Sequence, residues 1–166
     1  MFKRKGFTLI ELLIVIAIIA ILAGIVIAAT TGATKKARDS RRVGDIQTLQ
    51  TAIVQYEADN GEYPANLNAL VTGGYISSIP ADPSTGAPVT EGSATSSGLI
   101  YVVDDARDKY LLAANLERSD NSALDGDIDG DVTLTVGGSN VTINCDDGNG
   151  CAGGGTTHCY CIGIVH

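Results

Sequence analysis

The 166-residue sequence has no tryptophan, two phenylalanines and one methionine, against twenty glycines. With so few large side chains to bury, a single modest core is what a chain of this length supports. No proline precedes Pro64, so nothing in the first sixty residues interrupts a helix. No cysteine precedes Cys145, and both histidines, His158 and His166, lie near the C-terminus. No Ser/His/Asp or Cys/His arrangement calls for nucleophilic catalysis, and the glycine-rich residues 148–155 lack the Lys-Ser/Thr ending of a phosphate loop. An enzyme is therefore not expected. Cations are scarce beyond Asn60, with three Lys/Arg against fourteen Asp/Glu, whereas up to Asn60 there are eight against five. So acidic a C-terminal part excludes nucleic-acid binding by that part, because phosphate contacts need clustered cations.

Charge is also missing from residues 7–29, where Glu11 is the only ionisable side chain among Ile, Leu, Val and Ala. A helix of about 20 such residues crosses a ~30 Å hydrocarbon core. Lys3, Arg4 and Lys5 stand just before it and hold the short N-terminal end in the cytoplasm, with the remainder exported. A carboxylate deep in a span costs ~2.5–3.5 kcal/mol, so Glu11 calls for a compensating partner. A cleaved secretory signal is a poorer fit, because the apolar run is long and no small-x-small cleavage site lies at the distance expected after a 7–15-residue apolar segment.

The string Lys5-Gly6-Phe7-Thr8-Leu9-Ile10-Glu11 resembles the processing motif of type IV prepilins and of type II secretion pseudopilins. The resemblance implies cleavage by prepilin peptidase between Gly6 and Phe7 and methylation of the new amino group on Phe7. It also implies an assembly role for Phe7 and Glu11, in which the Phe7 ammonium and the Glu11 carboxylate pair as subunits pack. Opposite charges attract far more strongly in a low-dielectric setting than in water, which makes such a pair a selector of register. The implied partners are a homo-oligomeric filament with related pilins, the peptidase, an inner-membrane assembly platform with its ATPase, and the membrane itself. Many relatives carry proline where this chain has Ala28, so any local unwinding there falls to Gly24 or Gly32.

Beyond the span, Val43, Ile46, Leu49, Ile53 and Tyr56 recur at spacings of three and four, the stripe of an amphipathic helix. One helix over about residues 8–59, stopped at Asn60-Gly61, is expected. Lys35, Lys36, Arg38, Arg41 and Arg42 read either as a solvated face with Asp39 and Asp45 as local partners, or as a patch for acidic headgroups or neighbouring subunits. A short helix is expected from Asn66 and a loop over residues 84–98. The stretch from Tyr63-Pro64 to Asp82-Pro83 resembles the corresponding region of major pseudopilins. Strand patterns at residues 99–103 with 110–114, and at 132–136 with 141–144 around a glycine turn, predict two hairpins, with a last strand at 160–165.

Asp125, Asp127, Asp129 and Asp131 place four carboxylates in seven residues, which repel one another unless hydrated or bridged by a hard cation. The Asp-x-Asp-x-Asp-Gly start matches an EF-hand loop, but Val136 stands at the twelfth position and strand follows, so a full EF-hand is not expected. A calcium loop of another kind and a solvated acidic turn both remain open; the family resemblance favours calcium, which major pseudopilins hold in a C-terminal loop. Cys145, Cys151, Cys159 and Cys161, with His158, offer a zinc donor set but lack a Cys-x2-Cys knuckle. Export favours disulfides instead. Residues two apart in a strand share a face and rarely bridge each other, so Cys159 and Cys161 each pair back to Cys145 or Cys151.

The fold class expected is α+β, a long N-terminal helix packed on a small antiparallel sheet. Its divisions are a cleaved leader at 1–6, a membrane and assembly helix at 7–29, an amphipathic continuation at 30–60 and a globular head at 61–166. The function expected is a pilus or pseudopilus subunit, stored as a single-pass membrane precursor with its C-terminus outside and then built into a periplasmic or extracellular filament. The alternative is a signal-anchored, calcium-dependent surface binding protein that does not polymerise.

Overall fold

A proline-free run rich in Ile, Leu, Val and Ala meets the conditions for a long helix, and α1 extends over Leu9–Asn60. Its threonines bond the carbonyl four residues back, Thr30 Oγ1 to Val26 at 2.7 Å and Thr34 Oγ1 to Thr30 at 2.9 Å, which satisfies hydroxyls that water would otherwise serve. The chain leaves the helix at Gly61, whose N–H donates to Glu57 O at 2.7 Å. The computed structural model describes residues 7–94, 98–146, 148, 150–152 and 157–165. It forms two compact units, Met1–Lys35 and Lys36–His166.

In the first unit the large apolar side chains of α1 stand in the open, from Leu9 at 82% exposure to Ile27 at 68%. Helix α1 is long and apolar enough to cross a membrane, by length and composition.

The second unit is built in layers. Four strands pair in the order β1 (Thr90–Glu91), β2 (Leu99–Val103), β3 (Tyr110–Leu116) and β6 (His158–Ile164). Strands β4 (Asp131–Val136) and β5 (Ser139–Asn144) form a separate antiparallel pair. Tyr101 lies opposite Leu112, and Ala113 opposite Cys161, both in antiparallel register. Alternation sends Leu99, Tyr101, Tyr110, Leu112, Leu116 and Tyr160 into one core with Ile46, Leu49 and Ile53 of α1. It sends Ile100, Val102, Leu111, Ala113, Cys159 and Cys161 into a second core with Val132, Leu134 and Ile143 of the β4–β5 pair. Covered on both faces, β2 reads as an unbroken apolar run and β3 as one interrupted at Asn115, instead of alternating.

The expected α+β class, the long helix and both hairpins are present, and the stripe Val43, Ile46, Leu49, Ile53 and Tyr56 faces the first core. Helix α2 occupies Asn68–Thr72, two residues later than expected, with Asn66 Oδ1 accepting from Ala69 N at 3.2 Å ahead of it. The glycine turn is tighter than the four residues read from sequence: Gly137 and Gly138 alone turn, at φ 59° and 74°, a geometry that matches the twist of the flanking strands. The segment expected as a loop over 84–98 carries β1, which runs parallel to β2 and makes the four-stranded sheet mixed. Residues 95–97 lie outside the described residues. Two residues of strand next to buried Val89 are too few to show as a periodic pattern.

Candidate functional site

Gly6 and the cations Lys3 to Lys5 lie outside the described residues, so the cleavage motif is seen from Phe7 onward. Phe7 is 89% exposed. Thr8 precedes the first turn of α1, and its N–H and hydroxyl donate to Glu11 Oε2 at 2.9 and 2.7 Å. Glu11 N donates back to Thr8 Oγ1 at 3.3 Å, which completes a reciprocal cap on helix donors that have no intrahelical partner. In the uncut chain the Phe7 nitrogen is a peptide nitrogen, and Glu11 takes its partners from Thr8. Sequence reading gave Glu11 a charge partner and overlooked this cap, although Thr-x-x-Glu ahead of an apolar run is its signature. From here, α1 presents Ile10, Leu13, Ile14, Ile18, Ile21, Ile25 and their neighbours unburied over roughly 28 Å of helix.

The acidic residues and the cysteines meet in the second unit. Cys145 bonds to Cys161 and Cys151 to Cys159, so each cysteine of β6 pairs back to one of the earlier two. All four sulfurs are buried. Cys145 and Cys161 also anchor the acidic loop from its two ends. Cys161 N donates to Asp127 Oδ2 at 2.8 Å, and Cys145 N donates to Gly130 O at 3.0 Å. Asp125 lies in a 3-10 turn, Leu124–Gly126, and is exposed, as are Asp129 and Asp131. Asp131 Oδ1 accepts from Asn144 Nδ2 at 2.8 Å. Among the described residues, no three of these aspartates bring carboxylate oxygens within 4.8 Å of one another. The donor set is all oxygen, as a hard cation needs, and gathering it requires Asp125 and Asp129 to turn inward.

The basic patch is where the structure departs most from the sequence reading. Arg42 is 3% exposed and Asp39 1%, so neither lies on a solvated face. The Arg42 guanidinium donates to Asp82 at 2.7 and 3.3 Å, to Asp39 at 3.0 Å and to Glu117 at 3.1 Å, with Ser84 Oγ at 2.8 Å. Arg38 binds Glu117 through two parallel bonds of 2.7 and 2.5 Å. The Arg38 bonds, against an opposing burial effect and aided by Arg42, lower the Glu117 carboxyl to about 2. Burial pushes Asp82 up, but bonds from Arg42, Ser84 and Thr85 outweigh it and hold this carboxyl well below its ordinary range. The two arginines thus tie α1 to the 82–85 turn and to the end of β3. Local pairing is present as well, Arg42 with Asp39 at i+3 and Arg41 with Asp45 at i+4. Asp82 and Glu117 were missed as partners because they lie 40 and 75 residues away from Arg42.

Residues 1–27 match the prokaryotic N-terminal methylation motif. Over 97 residues the chain is 37% identical to type II secretion system core protein G of Aeromonas hydrophila, covering 49% of this chain and 68% of that protein. It is 39% identical over 96 residues to the Vibrio cholerae core protein G, covering 49% of this chain and 66% of that one. It is also 44% identical over 80 residues to the type IV wide pilus major component PilA4 of Thermus thermophilus, covering 48% of this chain and 60% of that protein. The chain spans about two thirds of the length of the two secretion-system relatives and 60% of that of the pilus component. No solved structure matches it. With the methylation motif, the long helix carrying an exposed apolar half, and a sheet covered on both faces, these likenesses agree: the chain belongs to the family of type IV pilins and type II secretion pseudopilins.

Proposed function

We propose that this chain is a structural subunit, not an enzyme, of a type IV pilus or type II secretion pseudopilus filament. In this reading prepilin peptidase cuts between Gly6 and Phe7, the Phe7 amine is methylated, and an inner-membrane platform with its ATPase draws the subunit into the polymer. The observation that carries the reading is the apolar surface of α1, which stays exposed from Phe7 to Ile27 directly behind the processing motif. A membrane stores that surface before assembly, and the same surface on related subunits covers it afterwards. Cleavage also changes the task of Glu11. A new ammonium on Phe7 of one subunit competes with Thr8 for the Glu11 carboxylate of another, so the cap of the stored precursor becomes an assembly contact. The test is intact-mass measurement of the protein from cells that hold the peptidase, together with imaging of filaments. A mature chain starting at N-methylated Phe7 and found in filaments is expected; a wild-type chain still starting at Met1 sinks the proposal.

We further propose that the 125–131 loop takes calcium. What supports this is the all-oxygen donor set and the anchoring of the loop at Asp127 and Gly130 on two bridged cysteines. Asp125, Asp127, Asp129 and Asp131 are the proposed ligands; the ion would neutralise their mutual repulsion.

A further inference from the structure

Cys159 and Cys161 stand two apart on one face of β6, so the two disulfides lie side by side. Cys159 Sγ is 3.4 Å from Cys161 Sγ, across two different bridges. The sulfurs of Cys145, Cys159 and Cys161 all lie within 4.8 Å of one another. Ligand sulfurs at ~2.3 Å from a tetrahedral zinc ion stand about 3.8 Å apart. We propose that Cys145, Cys151, Cys159 and Cys161, once both bridges are opened, form a tetrathiolate site for one soft divalent cation of the zinc type.

The frame for such a site does not depend on the bridges. Cys159 and Cys161 are held in β6 by antiparallel pairing with Asn115 and Ala113 of β3. Cys145 N is bound to Gly130 O at 3.0 Å, and Cys151 N to Asn115 Oδ1 at 2.9 Å. Being two apart on one strand, Cys159 and Cys161 rarely bridge each other but serve well as neighbouring ligands on one face. Cys145 supplies the third sulfur from the end of β5. Cys151, on the connection from β5 to β6, swings in as the fourth when its bond to Cys159 opens. The cluster is dry, surrounded by Ile100, Val102, Leu111, Ala113 and Ile143. An isolated thiolate is costly in such surroundings, which favours sharing its charge with a cation.

The chemistry balances with a dithiol or phosphine as reductant. Two sulfur–sulfur bonds accept four electrons and four protons and give four thiols. One divalent cation then displaces up to four protons and leaves a centre of net charge −2. Thiolate softness separates this site from the aspartate loop, which takes a hard cation. The C-terminal staple thus exists in two chemical forms, covalent in an oxidising compartment and metal-bound in a reducing one.

Cobalt(II) is the probe, added without oxygen to the full chain in detergent after reduction by a phosphine. The expected result is one cobalt per chain, with sulfur-to-metal bands in the near ultraviolet and the intense visible bands of tetrahedral cobalt, both discharged by zinc. Octahedral cobalt on carboxylates gives only weak visible bands, so the aspartate loop does not imitate this signal. The unreduced chain should give none of it. Cys151→Ser should weaken cobalt binding by about tenfold or more. The same titration in guanidinium distinguishes a folded site from chelation by an unfolded chain, and binding there should be much weaker. Absence of the tetrahedral bands, or equal binding by the denatured chain, would overturn the proposal.

Discussion

Arg42 leaves the surface because Asp39, Asp82 and Glu117 surround its guanidinium with matched acceptors, which offset its desolvation. Arg42→Met removes the cation but leaves Asp39 and Asp82 buried, so unfolding in urea should show a loss of about 3–5 kcal/mol. The same carboxylates set an acid limit. Glu117 and Asp82 are held below the ordinary carboxylate value of ~4, so their contribution is complete above that value. It should be lost as pH falls toward the folded value of Glu117, about 2. Urea midpoints measured from neutral to strongly acidic pH should be level at first and then fall, and in Arg42→Met this network's share of the fall should shrink. Glu11 poses the opposite case, a carboxylate in an apolar run that accepts its bonds from Thr8. Glu11→Val removes an insertion cost of ~2.5–3.5 kcal/mol, so membrane insertion and cleavage should persist. If Glu11 pairs with the Phe7 ammonium in filaments, the variant leaves that ammonium unpaired, at about 3–5 kcal/mol per contact, and polymer imaged from such cells should be sparse or absent. Wild-type filament levels would count against the assembly role.

Among the elements, β6 has the least room for change. It pairs with β3 along seven residues and carries two of the four bridging sulfurs into the second core, while Tyr160 enters the first. Gly163 lies opposite Leu111, where an added Cβ would stand 2.2 Å from Tyr110 O and 3.0 Å from Leu111 Cα. Both neighbours are backbone, so the strands must part. Gly163→Ala should destabilise the protein by about 1–3 kcal/mol, read by urea denaturation, with faster hydrogen exchange along β3 and β6. Helix α1 responds differently along its length. Substituting Leu49, which is fully buried, with Ala should cost ~2–5 kcal/mol, whereas exposed Thr51→Ala should change stability little.

At the scale of the molecule, the two units carry different surfaces. The apolar half of α1 needs lipid or like helices, and the second unit carries most of the acidic charge. A cation held only by the folded state adds stability of RT ln(1 + [L]/Kd), ~2.7 kcal/mol at a hundredfold excess over Kd. If the 125–131 loop takes calcium, thermal unfolding of the full chain in detergent should occur at higher temperature in millimolar calcium than in chelator. Asp127→Ala and Asp129→Ala should remove that difference. An unchanged curve for the wild-type chain would leave the loop as a solvated turn.

What the sequence determined by itself is what short-range chemistry controls. Residues 7–29 announce a long apolar helix because no proline or second charge interrupts them. The 3–4 spacing from Val43 to Tyr56 named the buried stripe, and Gly137-Gly138 marked a hairpin, because helix periodicity and turn conformation are local properties. The two-residue separation of Cys159 and Cys161 required each to bond elsewhere, as both do. Only the tertiary structure chose Cys161 for Cys145, because either pairing is equally legible in a list of positions. It alone turned Arg42 inward, since Asp82 and Glu117 reach Arg42 through folding and not through spacing. It also brought Cys145 and Cys151 to β6, where Cys159 and Cys161 stand on one face. Distance along the chain carries no information about such meetings, and packing of the sheet between α1 and the β4–β5 pair decides them.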